Sequence, residues 1–305
     1  QGMMVPVVVL AGIFFIVPLY RDVIGLSAYE YFEKRFSYFA RVYSSLGFIL
    51  AHFSKMGSVF FLLSLAVSSM TGIDTYTVIF VLGIAVIVLT LLGGMEAVIW
   101  LDVIQGFLLI FGGLITVAII AMKLDGGLGS VFAIAAAEDK MSLGSMEWDF
   151  VNLTFWVMAI NGIFYTIQKY GTDQTIIQRY LTARSDKEAI KASIMGVVMV
   201  VPVWAMFMFI GTALYAFYQG SATLPEGLRA DAVFPYFIMN ELPVGVVGLI
   251  ISALMAAAIS SLDSDLNCLA AVGVDDYYKR FKPDSTDEER LRMGKVLVIL
   301  SGIGA

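Results

Sequence analysis

The chain has 305 residues, 59% hydrophobic and 14% charged, with a formal net charge of −6 and a mean hydropathy of +0.86. Soluble domains run at about 45–50% apolar and about 25% charged, so the apolar excess must face something other than water. Cys268 is the only cysteine and His52 the only histidine, which excludes disulfide frameworks, thiolate clusters and histidine-rich metal sites. The basic residues form no stripe suited to nucleic acid, no Walker-type loop occurs, and Gly127-Leu-Gly129 fails GxGxxG because Phe132 stands in place of the third glycine.

A membrane span needs ~20 mostly apolar residues. In chain order the predicted spans are 3–20, 42–70, 75–94, 97–123, 151–170, 193–218, 243–272 and 293–305, eight crossings of one transmembrane domain covering 1–305. The first opens at Gln1-Gly2 without a charged lead-in and the last is cut in full apolar stride at Ala305, so both ends read as truncated. No small-residue cleavage site follows the first span, which argues against a signal peptide.

Basic residues fall unequally in alternate loops. Arg21, Lys34, Arg35 and Arg41 follow the first span, Arg179, Arg184, Lys187 and Lys191 the fifth, and Lys279, Arg280, Lys282, Arg290, Arg292 and Lys295 the seventh; the opposite side carries Lys123, Lys140 and Arg229. The positive-inside rule puts the basic loops in the cytoplasm, and the expected location is the plasma (inner) membrane. Within the loops, Ser185-x-x-Glu188 and Ser285-x-x-Glu288 read as capping boxes. Ser27 to Phe36 reads as a short amphipathic piece at the interface, and Asp231 to Asn240 as a short helix on the outer side.

Ionisable groups inside spans are costly and are therefore functional candidates. At about 100° per residue, Ala257, Ser260, Asp263, Ser264 and Asn267 share one side of the seventh span, with Ser261 at its edge. Hydroxyls, carbonyls and a carboxylate are the oxygen ligands a hard cation such as sodium wants. The competing reading is a small-residue helix interface with serines bonded back to their own helix, and Asp265 simply reaching the cytoplasmic interface. Asp102 and Gln105 share a face of the fourth span; from the residues alone, an acid favoured by the helix dipole at a membrane interface is the reading that prevails over a site. Lys55, deep in the second span, calls for an anion, either a protein carboxylate or a substrate carboxylate; His52 reads as a hydrogen-bonded core residue. The run Thr166-Ile-Gln-Lys-Tyr170-Gly-Thr-Asp-Gln174 reads either as a break lining a cavity or as an ordinary helix end.

Four stretches together resemble the sodium/solute symporter family, which includes sodium–glucose, sialic-acid, proline, iodide and vitamin transporters. They are Ser27-Ala-Tyr-Glu-Tyr-Phe-Glu-Lys-Arg-Phe36; Gly93-Gly94 with Ala97-Val-Ile-Trp-Leu-Asp102-Val-Ile-Gln105; Gly171-Thr-Asp-Gln174 with Gln178-Arg179-Tyr180-Leu181; and Ala257-Ala-Ile-Ser-Ser-Leu-Asp-Ser264 with Asn267. The resemblance implies an all-α, leucine-transporter-like bundle of inverted repeats, running here from the second to the ninth core helix, so that the first and tenth core helices are missing partners. It also implies that Ala257, through its carbonyl, Ser260 and Ser261 form half of a sodium site, and that Asp102 with Ser260, Asp263 and Ser264 matches a second one. The sialic-acid branch shares the HxxK/R spacing of His52 and Lys55, which implies that Lys55 meets a substrate carboxylate; Thr166, Gln168, Lys169 and Tyr170 become candidate substrate-lining residues.

The expected function is sodium-coupled import of a small polar solute, with sialic acid or another sugar or sugar acid first, proline or a monocarboxylate as alternatives, and a transporter-like membrane sensor as a rival from another class. Sodium is the coupling ion, no organic cofactor is implied, the lipid bilayer is the surrounding partner, and without a credible nucleophile–base pair an enzyme is not expected.

Overall fold

The computed structural model describes residues 4–24, 27–138, 140, 142, 144–220 and 223–305; of 94–98 and 101 it describes the backbone alone. Gln1, Gly2 and residue 3, where the first span is predicted to open, lie outside the described residues, as do the side chains of Gly94, Ala97, Val98 and Leu101 in the quoted motif. The elements are α1 (Met4–Val23), α2 (Glu30–Arg35), α3 (Tyr38–Thr71), α4 (Thr75–Lys123), α5 (Gly127–Ala137), α6 (Phe155–Gly171), α7 (Gln174–Thr182), α8 (Asp186–Gly220), α9 (Val233–Glu241), α10 (Val244–Val272), α11 (Lys279–Phe281) and α12 (Asp287–Gly304). A 3-10 turn, Ala230–Ala232, precedes α9, and a π-helical turn, Gly273–Tyr278, extends α10. Among the described residues there is no strand, in keeping with the all-helical prediction.

Six segments are long and apolar enough to cross a membrane: Met4–Val23, Tyr38–Thr71, Thr75–Gly93, Asp102–Lys123, Asp186–Gly220 and Val244–Phe281. They correspond to six of the eight predicted spans. The fifth and eighth differ for local reasons. Residues 149–154 form a turn in which the Thr154 hydroxyl donates to the Asp149 carbonyl (2.8 Å), and Thr154 then caps α6, leaving that helix 17 residues. Bonds from the Val151 amide and from Asn152 hold the Asp149 carboxyl below the usual carboxylate range. The eighth begins with a charged first turn, Asp287, Glu288 and Glu289.

Two capping predictions resolve differently. The Glu188 amide donates to the Ser185 hydroxyl at 3.3 Å, so Ser185 starts α8 as expected. At α12 the box is one residue later: Thr286 and Glu289 exchange both reciprocal bonds, while the Ser285 hydroxyl accepts from Arg290 Nε at 3.0 Å. The extended backbone needed for a cap falls on Thr286, which corrects the Ser285-x-x-Glu288 reading.

The 49 residues of α4 are all helical, but its membrane-length pieces, Thr75–Gly93 and Asp102–Lys123, match the two spans that the sequence suggests. A straight helix of that length would measure about 74 Å. Yet only three residues separate the end of α3 from Thr75, and Met70 near its end shares one core cluster with Ile120 and Leu124. The two ends of α4 therefore lie at the same end of the bundle, and α4 consists of two antiparallel limbs that lie on α10. Thr90 and Asp102, one on each limb, face the middle of α10.

Three apolar clusters hold the bundle. One joins α3, the first limb of α4, α10 and α12 through Met56, Phe60, Val86, Leu262, Leu266 and Val298. A second lies at the other end of α10, around Ile120, Phe217, Phe237 and Ile238; α9, predicted over 231–240, belongs to it. The third packs α1 against α7 and the start of α8 through Ile13, Val17, Ile177 and Val197. Many large apolar side chains, such as Phe15, Phe80, Phe107, Met122 and Met208, remain exposed, as lipid-facing positions should.

Arg41 ties the amphipathic α2 to the π-helical turn. Its guanidinium donates to Glu33 Oε2 (2.7 Å), Asp276 Oδ1 (2.8 Å) and Asp275 Oδ2 (3.2 Å).

Close helix approach leaves one sharp test. A Cβ on Gly302 would stand 2.6 Å from Ile87 Cδ1, and a β-branched neighbour on a packed helix has little room to yield. Gly302→Val is expected to cost about 1–3 kcal/mol and to lower the thermal midpoint of the full-length protein in detergent. Gly113→Ala, which meets the flexible tip of Met206 at 2.5 Å, is expected to cost much less; equal losses for the two would contradict the packing described.

Candidate functional site: a broken helix against a polar face of α10

The polar run after Thr166 is a break and not a helix end at an interface. α6 stops at Gly171, Thr172 leaves helical geometry, and Asp173 caps α7 by accepting from the Thr175 amide at 2.9 Å. Asp173, Gln174, Thr175 and Gln178 are all buried, so the chain continues inside the bundle. A break frees carbonyls that lipid cannot satisfy, and three tyrosines take them. Tyr20 Oη donates to the Gly171 carbonyl (2.6 Å), Tyr180 Oη to Tyr170 (3.2 Å) and Tyr29 Oη to Thr172 (3.5 Å). The Ala28 amide donates to Gln174 Oε1 at 2.8 Å, docking the segment before α2 onto the same place.

α7 carries two contacts from the break to α10. Cys268 Sγ donates to Gln178 Oε1 (2.9 Å). Arg179 Nη2 donates to Asp102 Oδ2 (2.7 Å) and to Ser264 Oγ (3.1 Å). Asp102 Oδ1 accepts from the Ser260 hydroxyl. Asp102, Ser260 and Ser264 thus meet at one place between α4, α7 and α10. Ser260 is bonded across helices and not back to its own, which sets aside the small-residue alternative for that serine. Asp102 likewise is no simple helix-terminal acid, since its two oxygens serve Arg179 and Ser260.

Asp263 departs from the expected grouping. It is buried, its Oδ1 accepts from Asn267 Nδ2 at 3.1 Å, and it lies toward Thr90 on the first limb of α4; no hydrogen bond between it and Asp102, Ser260 or Ser264 is found among the described residues. Ala257 and Ser261 are half-buried on the same helix. Among the described residues no three His, Cys, Asp or Glu side chains are grouped to hold a metal ion; the oxygens gathered here are one carboxylate and two hydroxyls.

A second cluster lies where α3 meets α10 and the break. His52 Nδ1 is 2.8 Å from Asp265 Oδ1, and His52 Nε2 is 3.4 Å from Asp173 Oδ2. Lys55 Nζ donates to Asp265 Oδ1 (3.0 Å) and lies 2.9 Å from Oδ2. Lys169 Nζ donates to Asp173 Oδ2 (2.8 Å) and to Thr175 Oγ1 (3.2 Å). His52, Asp173 and Asp265 are buried, whereas the Lys55 side chain is 42% exposed. The anion beside Lys55 is therefore a protein carboxylate in this arrangement. Asp265, read as reaching the cytoplasmic interface, is instead fully enclosed, because two basic side chains of α3 meet it inside the bundle. His52 is a hydrogen-bonded core residue, as expected.

The remaining lining candidates separate. Gln168 lines a cavity of about 580 Å³ together with Tyr29, Phe48, His52 and Thr172. Thr166 is fully buried and its hydroxyl returns to the Gly162 carbonyl at 2.7 Å, Lys169 is taken by Asp173, and Tyr170 offers its carbonyl to Tyr180. Sequence reasoning misses Arg179 as a partner of Asp102, counting it among loop cations, and misses Asp173 and Asp265 as hubs. The polar spacing of Gln174, Gln178 and Arg179 along a short helix is the signal that points to them.

Residues 2–303 match the Sodium:solute symporter family. The chain belongs to this family. It is 34% identical over 305 residues to the sodium/sialic acid symporter NanT of Aliivibrio fischeri, covering 99% of this chain and 60% of that protein. It is 35% identical over 293 residues to the sodium/sialic acid symporter SiaT of Proteus mirabilis, covering 95% and 59%. A rabbit (Oryctolagus cuniculus) sodium-dependent multivitamin transporter is 31% identical over 99% of this chain and 47% of its own length. The chain thus spans about 60% of the length of the two bacterial relatives.

A solved Na+-coupled sialic acid symporter, described as substrate-bound and outward-open with a novel Na+-site, superposes with a TM-score of 0.95 at 34% identity, covering 99% of this chain and 64% of that one. The fold is therefore the leucine-transporter-like bundle of that symporter, the relatives are transporters and not enzymes, and the protein is integral to a membrane. No organic cofactor is indicated.

The tyrosine clasp on the break is directly testable. Tyr20→Phe removes the donor to a half-buried carbonyl, so stability is expected to fall by about 1 kcal/mol, read as a lowered thermal midpoint. Tyr31→Phe, which leaves the break untouched, serves as the comparison; an unchanged midpoint in Tyr20→Phe would show the Gly171 carbonyl to be satisfied elsewhere.

Proposed function

We propose that the protein containing this chain is a sodium-coupled symporter that imports a small acidic solute, sialic acid or a related sugar acid first. The observation that carries this reading is the pairing of two features that α7 joins, one through Arg179 and the other through its cap Asp173. One is an oxygen cluster, Asp102, Ser260 and Ser264, with Ala257 and Ser261 beside it. The other is a half-exposed ammonium, Lys55, set against buried polar groups. The names of the two bacterial relatives support the choice of solute; among the relatives, the sodium-coupled monocarboxylate transporters, 27–29% identical, also favour a carboxylate. A lysine gives a point charge where arginine would give a bidentate fork.

Sodium is drawn to carboxylate, hydroxyl and carbonyl oxygens. Ala257, Ser260 and Ser261 supply one half of one site, and Asp102, Ser260 and Ser264, with Asp263 nearby, bear on a second. Arg179 already neutralises Asp102, so an ion at that second place must share the carboxylate with the guanidinium. We further propose eight crossings of the plasma (inner) membrane with the basic loops cytoplasmic, α6 and α12 completing the six longer spans, and completion of both binding sites by core helices outside this chain. Coupling requires that sodium raise solute affinity and that solute raise sodium affinity to the same degree.

Uptake into proteoliposomes of the full-length protein tests this, using sialic acid, neutral hexoses, proline and short monocarboxylates, each with and without an inward sodium gradient. Sodium-driven uptake of sialic acid, competed by other acids and not by hexoses, is the expected result; a sensor would show none. Lys55→Ala is expected to raise the KM for the acid by about tenfold or more. Asp102→Asn and Ser260→Ala are expected to raise half-saturating sodium while expression is preserved; loss of folding alone would leave these residues a structural role.

A further inference from the structure

His52 sits between two carboxylates, and each of its ring nitrogens faces one of them: Nδ1 faces Asp265 at 2.8 Å and Nε2 faces Asp173 at 3.4 Å. A neutral imidazole has one N–H and would present a lone pair to the other carboxylate, whereas an imidazolium donates to both. Of the neighbouring groups, Lys55 on α3 bonds to Asp265, Lys169 on α6 bonds to Asp173 and to Thr175 on α7, and the Phe48 ring is tilted against the imidazole with centroids 4.0 Å apart. With an imidazolium, three cations (His52, Lys55, Lys169) surround two carboxylates (Asp173, Asp265), and the cluster carries one surplus positive charge. The surplus appears where the cluster opens, because Lys55 is its exposed member.

Asp265 is the side chain that decides how that charge is used. Its Oδ1 takes hydrogen bonds from both His52 and Lys55, and its Oδ2 has only the charge contact with Lys55. Were Lys55 its sole counter-ion, drawing the ammonium onto a solute would strand a buried carboxylate, which is strongly unfavourable. With His52 on the same oxygen, Lys55 can leave and Asp265 stays compensated. His52 remains tied through Asp173 to the start of α7, so the exchange takes place beside the helix break.

We propose that Asp265 and His52 set the solute specificity of Lys55: Asp265 is an internal competitor for the ammonium, and His52 is the positioning residue that holds Asp265 when a monocarboxylated solute takes Lys55. This rests on the reading of Lys55 as the solute-carboxylate contact. The device favours a solute with one carboxylate over a neutral one, since only an anion can replace Asp265 on Lys55.

The signs of the variants separate this from a structural role. In full-length protein in proteoliposomes, with sialic acid and its methyl ester as probes, Asp265→Asn is expected to lower the KM for the acid several-fold and to leave the ester unchanged. His52→Gln leaves Asp265 with Lys55 alone and is expected to raise the acid KM by about tenfold at near-normal Vmax. The double variant is expected to behave like Asp265→Asn, because without the competitor the histidine has nothing to hold. A gain in affinity cannot come from misfolded protein, so Asp265→Asn is informative even where His52→Gln accumulates poorly. Both single variants raising the acid KM, or losses that add in the double variant, would overturn the inference while leaving the Lys55 reading intact. An unchanged KM in Lys55→Ala would remove that reading and this inference with it.

Discussion

Inside an apolar bundle every ionised side chain must find a counter-charge, because water is not there to supply one. This constraint organises the interior of the chain. Asp265, Asp173 and Asp102 are each held by basic groups from other helices, Lys55 and His52 from α3, Lys169 from α6 and Arg179 from α7. The helices that meet at these pairs are far apart in sequence, so the pairs fix how α3, α7 and α10 stand against one another. They are also directional contacts, unlike the apolar packing around them.

The break between α6 and α7 is the second part of the same arrangement. It exposes backbone carbonyls at a depth where they need partners, and Tyr20, Tyr29 and Tyr180 reach them from three directions. Asp173 then serves two purposes at once, capping α7 and closing the ionic network through His52 and Lys169. Further along α7, Arg179 reaches the oxygens of Asp102 on α4 and Ser264 on α10, and Asp102 in turn holds Ser260. In the proposed symport cycle the sodium-facing and solute-facing groups are therefore linked through a single short helix, and movement of α7 would be felt at both.

Much of this was legible in the sequence. Apolar runs located the membrane helices, and four motifs in order led to the family and its fold. Ser260 and Asp102 were recognisable because polar groups in such runs carry a cost that only a partner offsets. What stayed hidden is pairing across helices. Lys55 left two anions open, and nothing in the linear chain distinguishes Asp265 from a solute; Arg179 read as one more loop cation because loop and buried helix are alike over nine residues. The capping box at Thr286 and Glu289 was misplaced by one position since Ser285-x-x-Glu288 fits the same pattern, and only backbone geometry separates them.

The central claim is that the oxygen cluster and Lys55 are energetically joined, so that cation and acid bind as a linked pair. Calorimetric titration of the purified full-length protein with sialic acid, at sodium concentrations from nil to saturating, measures this without transport. The account predicts that solute affinity rises with sodium, and that sodium affinity measured with solute present rises by the same factor. Acid binding of equal strength in sodium-containing and sodium-free buffer would contradict it.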